Sequence, residues 1–197
     1  MKILRRFGLA HAGTEGQNPA DTAPENTGSA SGAPSSLEHI LQIQEVSNAE
    51  FFVGDLFRRC FHDSLPNYPR HYVAFYGPDS LKFQAVGYVH YTAFEGAYLC
   101  GGLCIDDRAY RRIPEQHRRL IKAAGGIAEQ LLRYTFRDLV AAAALFGYVG
   151  DTRSERVNLR VGFQHTGIEH LIVHWNKPLP DSEKAAWLRK IAALGPF

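Results

Sequence analysis

Cysteine is scarce in this chain: Cys60, Cys100 and Cys104 are the three among 197 residues. Cys100 and Cys104 fall in one predicted strand, where four residues separate their Cα atoms by about 13 Å, beyond disulfide reach. No disulfide framework is expected, and reduced thiols point to the cytoplasm. A strong charge of either sign is also lacking. Net charge is +2, too mild for a nucleic-acid footprint. Long apolar runs are missing as well: the longest, Leu139 to Val149, is too short to span a bilayer. The basic start, Met1 to Ala10, has no apolar core adequate for a signal peptide. Four motifs are absent: a dinucleotide-binding Gly fingerprint, a Walker loop, a Gly-x-Ser-x-Gly elbow and a Cys-x-x-Cys pair.

Nine histidines raise the question of a metal. His170 and His174 have the i, i+4 spacing of a zinc pair on a helix. The segment Glu169 to Trp175 reads as a strand, however, which puts them about 13 Å apart. No metal site is expected. Aromatic residues, 12% of the chain, are not interleaved with basic residues in the manner of a nucleic-acid stacking platform.

Residues 8 to 36 are rich in Gly, Ala, Ser, Thr, Asn and Pro and nearly free of large apolar side chains. Such a stretch cannot offset its chain entropy by burial, so residues 1–36 are expected to be a disordered tail. The folded part starts near Leu37. His39 to Val46 alternates like a strand. Ala49 to His62 has a helical period, and Pro66, Asn67 and Pro69 break it. His71 to Tyr76, Phe83 to Thr92 and Ala97 to Ile105 read as an antiparallel meander. A helical pattern follows between about Pro114 and Leu139, then an apolar strand over Ala141 to Val149. Arg153 to Arg160 is a short helix, with Asp151 or Thr152 as N-cap and Gly162 as the left-handed C-cap residue. Glu169 to Trp175 is the last strand. A final amphipathic helix, capped by Asp181 or Ser182, carries Trp187, Leu188, Ile191 and Leu194 on one side. That side packs either on the domain or on a second subunit in a homodimer.

The stretch from Asp151 to Phe163, a short helix stopped by Gly162-Phe163 after a strand, resembles the segment that closes the cofactor site in the GCN5-related N-acetyltransferase (GNAT) superfamily. The element order over about residues 38 to 175 is similar to that of a GNAT domain. The resemblance implies an α+β fold with a mixed, mostly antiparallel sheet flanked by helices. It would occupy residues 37–176, with 177–197 as a C-terminal helical extension. It implies an acyl-CoA-dependent N-acyltransferase, moving an acetyl group from acetyl-CoA to an amine of a small molecule or protein. The alternative is a catalytically inactive GNAT-like module that binds coenzyme A or regulates.

In such a domain the pantetheine of acetyl-CoA runs along the fourth strand, here Leu103, Cys104 and Ile105. The pyrophosphate meets backbone N–H groups at the N-terminus of the long helix, where donors are unpaired and the dipole is positive. The family pattern there is Arg or Gln, two residues, Gly, one residue, then Gly or Ala. Two places fit in part. One is the loop at Gly125, Gly126 and Ile127, with Ala128 at the second small position and Ala123 in place of the Arg or Gln; its helical period also continues through the two glycines, as within one long helix. The other is Ile105 to Pro114, with Arg111 and Arg112 but no glycine. Residues 106–122 carry six Arg or Lys against three Asp or Glu, a charge that suits the phosphates of coenzyme A.

Asp151 and Asn158 would border the thioester. The family acid is a tyrosine four residues before the Gly of the Gly-Phe pair; here that position is Asn158, whose amide hydrogen-bonds but does not supply a proton. Tyr148, Cys104 or water would have to take its place. The family base is a carboxylate on the central strands, for which Glu95, Asp106 and, as an imidazole, His90 are the candidates. Acceptor specificity would come from about residues 62–70 and 90–97, which hold no diagnostic motif.

Overall fold

The structure, a computed structural model, describes residues 36–67, 69–78 and 82–197. The expected tail thus lies outside the described residues, apart from Ser36. A short helix α1 (Leu37–Ile40) leads into β1 (Leu41–Val46), α2 (Ala49–Phe61), β2 (Arg70–Tyr76) and β3 (Gln84–Phe94). After β4 (Ala97–Cys100) and β5 (Cys104–Ile105) come three helices, α3 (Asp107–Arg112), α4 (Glu115–Ala123) and α5 (Ile127–Asp138). The chain then forms β6 (Ala144–Tyr148), α6 (Thr152–Val161), β7 (Gln164–His165), β8 (Leu171–Trp175) and α7 (Asp181–Ala192).

The eight strands form one sheet in the order β1-β2-β3-β4-β6-β8-β7, with β5 paired to β3. All pairs are antiparallel except β4 with β6. Alternation along β3 sends Val89 and Tyr91 to one face and Tyr88 and His90 to the other. The first face packs on α3 to α6, burying Tyr91, Ile121, Ile127, Leu131 and Leu132. On the second face α2 covers Val73, Tyr88 and Cys104 through Phe57. There α7 also covers Leu99, Phe146, Leu171 and Val173 through Ile191.

The third meander strand is not continuous. Tyr91 faces Cys100 and Tyr88 faces Cys104, so three steps along β3 match four along its neighbour. The extra residue is a bulge over Gly101, Gly102 and Leu103, as glycines inside a strand pattern signal. The odd step sends the two thiols to opposite faces: Cys100 is buried on the α5 side and Cys104 on the α2 side. All three cysteines are unbridged.

The helical pattern from Pro114 to Leu139 is likewise broken. The amide of Gly126 donates to the carbonyl of Ile121 at 2.9 Å and that of Gly125 to Lys122 at 3.0 Å. This paired closure ends α4 with a left-handed residue, and Gly125 and Gly126 have φ of +95° and +91°. The same closure ends α6, where the amides of Phe163 and Gly162 donate to Asn158 and Leu159 and Gly162 has φ +117°. Three smaller departures are local. His39 and Ile40 are helical because His39 closes a turn onto Ser36. Gln164 and His165 add a strand too short for periodicity to reveal. Asp181 is the first residue of α7, after Pro180, rather than its cap. Among the described residues, no helix is long and apolar enough to cross a membrane.

Candidate functional site

The parallel pair β4/β6 holds register only to Cys100 with Gly147. One residue farther stand Gly101 and Tyr148, and there the strands part. The bulge turns β5 toward β3, while Val149 follows β8 through its amide bond to the carbonyl of His170. Neither Gly102 nor Leu103 is in register with a neighbouring strand. A V-shaped gap therefore opens between the strands ending at Ile105 and Val149, with backbone on its β4 side that pairs with no strand among the described residues.

The two pyrophosphate candidates differ in kind. At the N-terminus of α5, Gly126 is the cap residue and, among the described residues, no side-chain cap bonds the first amides. A Cβ on Gly126 would meet nothing within 4 Å, so the space in front of this helix end is open. Ile127, the first helical residue, is buried. At α3 the first amides are already satisfied: Oδ1 of Asp106 accepts from Arg108 and Ala109, both at 3.0 Å. Its Oδ2 accepts from Arg59 at 2.9 Å. Asp106 is thus a helix cap tied to α2. Arg111 and Arg112 are exposed in the last turn of α3. Beside Gly125 lies the buried carboxylate of Glu129, which accepts from Arg133 at 2.8 Å and from Arg160 of α6 at 3.5 Å. Those arginines supply positive charge between α5 and α6.

On α6 the carboxylate of Asp151 caps the amides of Arg153 and Ser154, both at 2.9 Å. Asn158 is fully buried; its Nδ2 donates to the carbonyl of Ser154 at 2.9 Å. Its Oδ1 is a buried acceptor with no hydrogen-bond partner among the described residues. Such an atom costs about 1–3 kcal/mol and calls for a reason. An open cavity of about 440 Å³ lies at the end of β6, lined among others by Val149, Asp151, Glu155 and His170. Tyr148, half-buried, has its ring tilted at 54° to that of His170, with the centroids 5.6 Å apart.

Of the residues singled out from sequence, Tyr148 and Asp151 stand at the β6 end of the gap and the backbone of Leu103 to Ile105 on its β4 side, with Ile127 of α5 beside Ile105 over Gly87. Glu95 does not join them. It sits at the hairpin tip between β3 and β4, ion-paired with Lys190 of α7. Six residues of chain, about 20 Å if extended, separate it from Gly101. The thiol of Cys104 faces α2 and Cys60; burial pushes its pKa up. His174 bonds the carbonyl of Gly162 at 3.0 Å and stacks on Phe136. Among the described residues no cluster of three metal-ligating side chains occurs.

Sequence names His90 as a candidate base but does not predict the bulge beside it, although Gly101-Gly102 inside a strand pattern is a signal for one. On the α2 face, His90 stands opposite His71, and its carbonyl accepts the amide of Gly101 at 2.9 Å. The Nδ1 of His71 is 2.6 Å from the hydroxyl of Tyr88. The rings of Tyr88 and His71 lie 5.7 and 6.4 Å from that of His90. Burial, with His71 adding to it, pulls the pKa of His90 down to about 3. Burial also lowers that of His71. Both imidazoles are neutral at pH 7.

No family model matches the chain, and no curated protein matches it by sequence. Solved structures do. The ribosomal-protein-S18-alanine N-acetyltransferase from Escherichia coli is 9% identical with a TM-score of 0.49, over 72% of this chain and 97% of that one. A GNAT-family acetyltransferase from Staphylococcus aureus Mu50 is 11% identical, TM-score 0.42, over 70% and 99%. The catalytic domain of Tetrahymena GCN5 histone acetyltransferase in complex with coenzyme A is 11% identical, TM-score 0.43, over 72% and 96%. Such identities do not bear on activity, and the fold rests on the chain's own strand order. That order, the single parallel pair and the gap beyond it make an α+β fold with a mixed, mostly antiparallel sheet flanked by helices, the architecture that the resemblance implied.

Proposed function

We propose that the chain is an acyl-CoA-dependent N-acyltransferase that moves an acetyl group from acetyl-CoA to an amine of a small molecule or protein, in the cytoplasm. The observation that carries this reading is the bulge at Gly101 to Leu103, which frees strand backbone beside a gap whose far end is a helix N-terminus with no side-chain cap among the described residues. Free backbone groups suit the amides of pantetheine, and an open helix N-terminus suits pyrophosphate. Leu103, Cys104 and Ile105 would hold the first; Gly125, Gly126 and Ile127 the second. Asp151 and Asn158 would border the thioester, where the unpartnered Oδ1 of Asn158 is free to accept a hydrogen bond. The cosubstrate supplies the activated acyl carbon. Tyr148, at the end of β6, would give a proton to the leaving sulfur.

Calorimetry with acetyl-CoA tests the reading. Binding is expected for the wild type. Gly126→Glu puts a carboxylate before the α5 N-terminus and is expected to abolish it. Arg111→Glu, on a helix whose own N-terminus is already capped, is expected to weaken it only through lost attraction. Loss with Arg111→Glu and retention with Gly126→Glu would move the pyrophosphate to the other loop. No binding to the wild type would overturn the reading.

A second reading, an inactive module that binds coenzyme A, is favoured by one observation: Asn158 stands where the family acid is a tyrosine. Acetyl-CoA binding without turnover of any amine would select it.

A further inference from the structure

We propose that the buried imidazole of His90, directed at the glycine bulge of β4 and braced by the His71–Tyr88 pair, takes the proton that the acceptor amine gives up. The inference rests on the acyltransferase reading and assigns its missing base.

Three observations converge. First, place: Tyr148 belongs to the cluster packed under α7 and His90 lies among residues packed under α2, so both are on one face of the sheet. Gly101 and Tyr148 are the first residues past the last β4–β6 pair, and His90 is the cross-strand neighbour of Gly101. Second, direction: a Cβ on Gly101 would lie 1.9 Å from Nε2 of His90. Only a residue without a side chain lets that nitrogen reach the edge of the gap. Third, an unmet bond: Nδ1 of His90 is buried and has no hydrogen-bond partner among the described residues, whereas the neighbouring His71 is bonded to Tyr88. A histidine kept for packing is normally satisfied. The two carboxylates named for the role from sequence are engaged elsewhere. Glu95 is at the far end of β4, and Asp106 is held by Arg59 and two amides.

The chemistry balances as follows. The lone pair of a neutral amine forms the C–N bond to the thioester carbonyl carbon, and the C–S bond breaks. As it bonds, the nitrogen becomes positively charged and far more acidic than a free ammonium. Its proton passes to Nε2 of His90, with the hydrogen of the neutral ring on Nδ1. The sulfur gains a proton from Tyr148 or water. Amide and coenzyme A thiol leave, the imidazolium returns its proton to solvent, and Tyr148, where it was the donor, regains one from solvent. Burial keeps the ring neutral and ready to accept, at the cost of a weaker base than a free imidazole, and the proton is not retained. The acceptor is therefore an amine that arrives unprotonated. His71 and Tyr88 are positioning residues.

The test uses the full chain, acetyl-CoA and three primary amines: n-butylamine, spermidine and a lysine-containing peptide. Thiol release gives turnover, and calorimetry gives acetyl-CoA affinity. His90→Gln is expected to lower kcat roughly 100-fold or more with acetyl-CoA affinity unchanged, and free imidazole to restore part of the turnover of His90→Ala. Tyr88→Phe, which keeps the ring and removes one hydroxyl, is expected to lower kcat by roughly tenfold without moving acetyl-CoA affinity. It carries the test if the His90 variants do not fold. A kcat of His90→Gln, or failing that of Tyr88→Phe, within about threefold of wild type overturns the role of His90 alone. A wild type that binds acetyl-CoA but turns over none of the amines overturns the role of His90 together with the activity. A wild type that does not bind acetyl-CoA overturns the acyltransferase reading beneath both.

Discussion

The imidazole of His90 lies so close to Gly101 that a Cβ on the glycine would stand 1.9 Å from Nε2. The ring cannot easily retreat, because Phe57, His71 and Tyr88 surround it at ring distances of 5.7 to 6.4 Å. Gly101→Ala is therefore expected to cost about 1–3 kcal/mol through overpacking, read from urea unfolding. In a His90→Ala background the same substitution is expected to cost less. Equal costs in the two backgrounds would show that the methyl is accommodated by backbone movement.

Stability is expected to depend on pH through the same residue. The pKa of His90 in the folded state, about 3, lies below its ordinary 6.5. Between those values the unfolded chain binds the extra proton. The stabilisation is complete above pH 6.5 and is lost as pH falls from there toward 3. From pH 7 to 5 the loss from His90 is at most about 2 kcal/mol, and His71, shifted the same way, adds to it. Chemical denaturation across this range is expected to give a shallower pH slope for His90→Gln than for wild type.

Helix α7 is expected to be part of the domain's stability. Ile191 is fully buried against the sheet, and the half-buried Trp187 packs 6.0 Å from the ring of Phe146. Ile191→Ala is expected to cost roughly 2–5 kcal/mol in thermal or urea unfolding, and Trp187→Ala less, because part of that ring is already in water. A negligible effect of Ile191→Ala would show that α7 detaches before the domain unfolds.

Asn158 separates a structural from a binding role. Its Oδ1 is buried without a partner among the described residues, so removing the amide removes a cost as well as the bond to Ser154. Asn158→Leu is expected to change stability by no more than about 1 kcal/mol, while acetyl-CoA affinity falls. Lost stability with unchanged affinity would assign Asn158 to the helix alone.

Much of the element order was legible because it is local. The period of Ala49 to Phe61, the apolar strand ending at Tyr148 and the stop at Gly162-Phe163 each depend on residues within a few turns. The Gly125-Gly126 pair was legible as a choice between a loop and a packed helix. What decided it was hydrogen bonding back to Ile121 and Lys122, which a continuous period does not exclude. Glu95 shows the opposite case. A carboxylate near the end of a central strand looked suited to proton transfer, yet the antiparallel turn carries it to the end of β4 remote from the gap.

By itself the sequence determined what sort of chain this is: strands and helices in a set order, three thiols without a framework, and an α6 ended by glycine. These follow from backbone preference and from side-chain spacing, which act over a few residues. Tertiary structure alone decided that β8 would enter between β6 and β7, that Cys100 and Cys104 would face opposite ways, and that His90 would meet Gly101. The physical reason is register. One unpaired residue in the bulge shifts every later side chain of that strand to the other face, and such a shift is chosen by partners far along the chain.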